Sequence, residues 1–421
     1  MSRIPAVAVF TGTALLIALT AGAGLGLWLL FARLYEMPLF DISWVVLVQV
    51  HGMLQLFGFA GLFVMGVGLH VVPRFRGASA HPAPLIAAIY VTTVCGLVLR
   101  AVAQPTTALP ARELVLIAGA AALLTGTALY AAAALRTLAS GRNDHRPDEM
   151  VIGIGACALP AAALLAATGV FGAPLVVDRV ADDRAVWLML LGALSITIFG
   201  VWARLAPAFA ASLPVRYPPL FAGLASWMAG IAGLLLGLAL APWALLAGLA
   251  LIAWALGVFG PTIARQALAQ HARLTRLAVQ SAFFWAFVGV LILVASGGAV
   301  VGDGYLVMSA ARHAFALGFV TLMIFGVGAR AIPAFLDRPL RSPALQLAAI
   351  ALTNAGVALR AVPQALGGSD PATSALIGLS GALAYAGLVA FAINVARTLA
   401  SRPAATAIKA GSVPIQVRFT S

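Results

Sequence analysis

Apolar residues run along this chain in blocks of about twenty, separated by short polar joins. A helix needs about 20 mostly apolar residues to cross a bilayer. Twelve blocks qualify: Val7–Phe31, Trp44–His70, Leu85–Val102, Leu114–Leu135, Met150–Phe171, Ala185–Leu205, Leu220–Leu240, Ala244–Ile263, Leu277–Ala299, Tyr305–Ile332, Leu345–Val362 and Ser374–Val395. Proline-bearing segments, Pro73–Pro84, Pro214–Pro219 and Pro333–Pro343, punctuate the joins. No long polar domain interrupts the pattern. The expected fold is an all-α integral membrane domain over residues 1–421, with a short, mildly basic tail over 404–421.

Composition agrees. Of 421 residues, 63% are hydrophobic and 9% are charged, against about 25% charged in soluble domains. That excludes a soluble enzyme, a disordered tail and a nucleic-acid-binding domain. The net charge of +13 has a topological explanation. With both termini cytoplasmic, 18 of the 25 Lys and Arg fall on the cytoplasmic side and 7 on the other, as the positive-inside bias requires. Cys95 and Cys157 both lie in apolar runs and provide neither a disulfide framework nor a Cys-rich metal site.

Three segments of the chain are copies of one another. GFAGLFVMGVGLHVVPRF (Gly58–Phe75), GALSITIFGVWARLAPAF (Gly192–Phe209) and GFVTLMIFGVGARAIPAF (Gly318–Phe335) share two glycines and a proline. The second and third lie 134 and 260 residues beyond the first. CGLVLRAVAQ (Cys95–Gln104) echoes AGVALRAVPQ (Ala355–Gln364) at the same 260-residue offset. These helices are the second, sixth and tenth spans. The unit is thus four helices repeated three times, over roughly 1–142, 143–275 and 276–403, as parallel repeats about an axis near the membrane normal. The shared glycines suit close helix packing.

Ionisable groups inside a span are costly and are functional candidates by default. No Asp or Glu is expected deep in a span, which weighs against a proton pump. Two histidines are deep. His51 and His313 lie roughly 10–12 Å below the extracytoplasmic ends of the second and tenth spans, at 1.5 Å per residue. Their repeat positions differ by two residues, so the two related helices present histidine from different faces. They can face each other across an off-axis pocket, the arrangement that a planar cofactor with two axial ligands needs. The alternative is that each imidazole simply bonds a neighbouring helix.

Arg100 and Arg360 occupy equivalent LRAV positions in the same leaflet. They can pair with the carboxylates of such a cofactor or snorkel to the interface. His70, Arg204 and Arg330 share one position near cytoplasmic helix ends, where cations suit the helix dipole. Gln55 shares a face with His51. Met53, Met65 and Met323 are soft donors suited to Cu(I) but ordinary as core filling.

Two resemblances follow from these motifs. HGMLQLFGFAGLFVMGVGLHVVP, starting at His51, is similar to the second-helix signature of haem–copper oxidase subunit I, and AARHAFALGFVTLMIFGVGARAIPAF looks like its tenth helix. The resemblance implies twelve helices in three four-helix arcs and a low-spin haem held by His51 and His313. The high-spin haem ligand position is Ala311, and spans six and seven lack the family's copper-binding histidines. A closer resemblance is to the NnrS family of haem- and copper-containing membrane proteins linked to nitric oxide stress in denitrifying bacteria. HGMLQLFGFA resembles that family's HxHEMLFGFA-like segment, with Met53 at the second His. SAARHAFALG (Ser309–Gly318), DRPL (Asp337–Leu340) and the LRA motifs at Arg100 and Arg360 also look like it.

The resemblance implies a bacterial inner-membrane protein with one bis-His haem, serving electron transfer or a nitric oxide or respiratory stress response. Haem b is the default, since no CxxCH occurs. Copper is possible by the same resemblance, but no recognisable ligand set supports it. The electron partner is open, with quinol and cytochrome c as candidates. Two other readings stand beside this one: an oxidase- or nitric oxide reductase-like subunit, and a small-molecule or metal transporter on the same scaffold.

Overall fold

A computed structural model describes residues 6–39, 42–172, 177–262, 269–297, 305–335, 338, 342–367 and 370–401. The 404–421 tail and all of the DRPL stretch except Arg338 lie outside the described residues. The described chain is almost wholly helical. Its β-structure is one isolated bridge between Ser212 and Thr262.

Among the described residues, eleven helices are long and apolar enough to cross a membrane: α1 (Ala6–Leu34), α2 (Trp44–Phe75), α3 (Ala83–Ala103), α4 (Arg112–Ser140), α5 (Pro147–Gly172), α6 (Arg179–Ala210), α7 (Tyr217–Leu235), α9 (Gln270–Ala295), α10 (Leu306–Phe335), α11 (Pro343–Ala365) and α12 (Pro371–Ala400). The expected eighth span is a shorter helix, α8 (Ala241–Ala255), about 22 Å long. Gly257 ends it. At φ +62° it adopts the left-handed conformation, while Val258 N–H reaches back to Ala253 O and Gly257 N–H to Trp254 O, the paired bonds of a glycine-terminated helix. The chain is a multi-pass membrane protein.

Helix starts follow from capping residues. The Asp178 carboxylate accepts from Ala181 N–H at 2.8 Å, Ser342 Oγ from Leu345 N–H at 3.2 Å, and Asp370 from Thr373 N–H at 3.0 Å. Each satisfies an otherwise orphaned first-turn donor. Several helices overrun the hydropathy blocks. Pro73 and Pro333 lie within α2 and α10 rather than in joins. Pro207 also sits inside a helix. Packed neighbours let a membrane helix tolerate such a proline.

The overrun changes the expectation about acidic residues. α5 begins three residues and α6 six residues before its apolar block, so Asp148, Glu149, Asp182 and Asp183 are helical and buried. Hydropathy stops at charge, whereas the helix continues because acidic groups suit its N-terminal dipole and arginines face them. Asp148 meets Arg146 and Arg204, Glu149 meets Arg76, Asp182 meets Arg100, and Asp183 meets Arg312.

Consecutive helices pack side by side, and α12 returns to pack on α1. The spans α2, α6 and α10 are the most deeply buried. Each contains a wider π-helical stretch: Leu54–Gly61, Leu188–Leu194 and Ala314–Thr321. These start 134 and 260 residues apart, the offsets of the sequence repeat, and they pack against one another. Such insertions in a membrane helix often mark functional sites.

Candidate functional site

The π-helical stretches begin immediately after the candidate histidines. His51 lies three residues before Leu54 and His313 directly before Ala314. Both side chains line one cavity of about 630 Å³, walled by α1, α2, α6, α10, α11 and α12. That is within the range of small-molecule and cofactor sites, roughly 300–1,000 Å³. Beneath the rim its walls are mainly aliphatic and aromatic, among them Leu56, Phe59, Leu317, Val320 and Leu388.

The two imidazoles are held alike. His51 Nδ1 lies 2.9 Å from Gly22 O, and His313 Nδ1 lies 2.7 Å from Ser309 O. A backbone carbonyl only accepts, so in each neutral ring Nδ1 carries the proton. That assigns the lone pair to Nε2 in both rings. A ligating histidine commonly donates its other ring N–H to a backbone carbonyl in this way. α1 makes room for the His51 ring at Gly26, where a Cβ would press into the imidazole.

Above the histidines the cavity rim is charged. Arg179, Asp182, Asp183, Arg312 and Arg360 all line it. Asp183 Oδ1 lies 3.0 Å from Arg312, and Asp182 Oδ1 lies 2.6 Å from Arg100. Arg100 is buried behind the wall rather than in it. It donates to Asp182 and Gln104, and Gln104 in turn donates to Gln49 at 2.6 Å. The two equivalent arginines therefore occupy unlike settings: Arg360 faces the cavity and Arg100 braces one of its carboxylates. Counting Arg100, the described residues of this rim include four guanidinium groups and two carboxylates.

Of the four candidate site residues, the structure brings His51, His313 and Arg360 to one cavity and sets Arg100 just behind it. Sequence reading missed Asp182 and Asp183. Their only signal was two adjacent acids just before an apolar block. His81 and His145 lie outside the spans, and burial lowers the pKa of His81. His70 lies at the opposite end of α2 from the cavity.

The space among α6, α7, α9 and α10 is packed with rings. Phe199 lies 5.6 Å from Trp227, Trp227 lies 6.3 Å from Phe315, and Phe283 lies 5.4 Å from Phe319. All five are fully buried, as is Ala311. Among the described residues, no group of three or more His, Cys, Asp or Glu is placed to hold a metal ion.

The architecture matches that of a solved haem–copper oxidase. A cryo-EM structure of a haem–copper terminal oxidase dimer superposes with a TM-score of 0.57, covering 95% of this chain and 85% of that one at 12% identity. The fold is therefore haem–copper oxidase-like. The NnrS protein family matches residues 10–402, nearly the whole chain, and the protein belongs to that family. No curated protein matches it by sequence.

Proposed function

We propose that the protein is a haem-binding electron-transfer or sensing protein of the inner membrane, with His51 and His313 as axial ligands of one low-spin haem b. The observation that carries this reading is the matched pair of imidazoles: two rings in one cavity, each with Nδ1 committed to a backbone carbonyl and Nε2 left for a ligand. The haem would supply one-electron chemistry. His51 and His313 would hold it from two helices, Gly26 leaves space for the His51 ring, and the apolar walls would exclude water. The arginines of the rim suit the propionates of a haem, with Arg360 in the wall and Arg100 fixing Asp182. Held by these two side chains, the haem would carry or sense electrons rather than bind substrate. The aromatic packing among α6, α7, α9 and α10 supports the loss of a second redox centre.

The threefold repeat over 1–142, 143–275 and 276–403 is part of this reading, supported by the equivalent π-helical stretches. So are cytoplasmic termini, supported by the arginine bias. Nitric oxide or respiratory stress is the context that family membership favours, with a quinol or a cytochrome c as candidate redox partner. The test is metal analysis with visible spectra of the purified protein. One iron per chain, no copper and a reversible low-spin b-type spectrum are expected. Stoichiometric copper or an iron-free protein after expression with ample haem would overturn the reading.

A further inference from the structure

α6 carries no histidine, yet it supplies more charged groups to the cavity rim than any other helix. The repeat register explains how it is used. Trp187 stands at the position that His313 occupies in α10. It is fully buried, and its ring lies beneath the Arg312 guanidinium, 5.5 Å from centroid to Cζ. One turn earlier on the same helix, Asp183 holds Arg312 through an ion pair of 3.0 Å. α6 therefore grips Arg312 from two sides, by carboxylate and by aromatic face.

Arg312 immediately precedes His313, lines the cavity and keeps a buried Nε–H without a hydrogen-bond partner. A guanidinium held rigidly, with one donor open, beside a ligand histidine is placed to act on the charge of whatever the histidines bind. Asp183 opposes it at the same rim, and Arg179 lies 4.0 Å from the other Asp183 oxygen.

We propose that Asp183 and Trp187 position Arg312 so that this ion pair sets the reduction potential of the group bound between His51 and His313. The inference rests on the haem reading. Arg312 favours the reduced state, since reduction adds an electron next to a fixed cation in a low-dielectric site. Asp183 opposes reduction through its own charge and by partly neutralising Arg312 and Arg179. Asp183 and Trp187 are the positioning groups; the direct charge of Asp183 outweighs the support it gives Arg312, so removing Arg312 and removing Asp183 have opposite signs.

The test is an equilibrium redox titration of the purified holoprotein, comparing wild type with R312Q, D183N and W187F, with visible spectra of each. R312Q is expected to lower the midpoint potential and D183N to raise it, both with the low-spin spectrum retained. W187F is expected to shift it in the R312Q direction by less, because Arg312 loses one of its two supports. Shifts of the same sign in R312Q and D183N, or none in either, would overturn the proposal while leaving the ligand assignment intact. If D183N fails to fold, R312K, which keeps the charge but not the fixed geometry, serves as the second variant. A potential between those of wild type and R312Q supports the proposal, and one equal to R312Q contradicts it. Wild-type protein without haem absorbance fails the underlying reading instead.

Discussion

His70 stacks its imidazole against Phe335, with ring centroids 4.4 Å apart and planes tilted by 45°. The contact closes a cycle. Arg204 lies over Phe75 at 5.1 Å and Arg330 over Phe209 at 5.1 Å. His70, Arg204 and Arg330 are equivalent in the repeat, as are Phe75, Phe209 and Phe335. Each of these three side chains thus packs on the phenyl ring of the preceding central helix, and the third returns to the first. The central helices are locked by this girdle at one end and by their π-helical stretches in the interior.

From that geometry His70 is structural. H70R should preserve both haem content and thermal stability, because arginine already performs the same role twice. Its effect should remain within about 1 kcal/mol, the scale of one such contact. Thermal unfolding in detergent, with haem absorbance followed on the same samples, checks this. Loss of the haem spectrum in H70R would make His70 a ligand.

Gly26 gives a sharper test of the cavity. A methyl group there would collide with the His51 ring, so G26A should displace the imidazole and reduce haem occupancy severalfold. The protein should still be inserted and folded, since the clash is with one side chain at the cavity wall. Haem per chain after purification is the measurement. Wild-type occupancy in G26A would mean that His51 is free to move away without cost to binding.

The equivalent arginines should behave differently. Arg100 and Asp182 form a buried pair, and breaking such a pair from one side costs about 3–5 kcal/mol. R100Q should therefore lower the unfolding temperature strongly. R360Q should leave stability nearer to wild type while weakening haem retention about tenfold, by removing a charge-assisted contact of about 1.5 kcal/mol. Unfolding curves and the rate of haem transfer to apomyoglobin separate the two. Matching phenotypes would contradict the distinct settings of the two side chains.

The central helices were readable from the sequence because the repeat fixed their register. Gly58, Gly192 and Gly318 align, and the equivalent π-helical stretches follow the same offsets. His51 and His313 were readable as intramembrane imidazoles at one depth. Their Nδ1 partners were not, because Gly22 O and Ser309 O are backbone groups whose availability depends on tertiary packing. The difference between Arg100 and Arg360 was also hidden. Both stand in LRAV, and only the position of Asp182 on α6 decides which one is taken up behind the wall. Asp182 and Asp183 themselves were obscured by hydropathy, which stops a helix where charge begins. The short α8 escaped for a related reason: the apolar run continues past Gly257, but the chain turns there.

Carbon monoxide tests the absence of an open metal position. If both axial sites are occupied by protein, the dithionite-reduced spectrum should be unchanged by the gas. A shifted band would indicate an open or readily vacated site and would favour gas binding or catalysis.

The most direct measurement is the oxidised and dithionite-reduced visible spectrum of purified wild type beside H51A, H313A and the double variant. Wild type is expected to show a low-spin b-type spectrum, each single variant to lose that low-spin signature, and the double variant to bind no haem. A wild-type low-spin spectrum persisting in the double variant would contradict the assignment of His51 and His313 as the ligands.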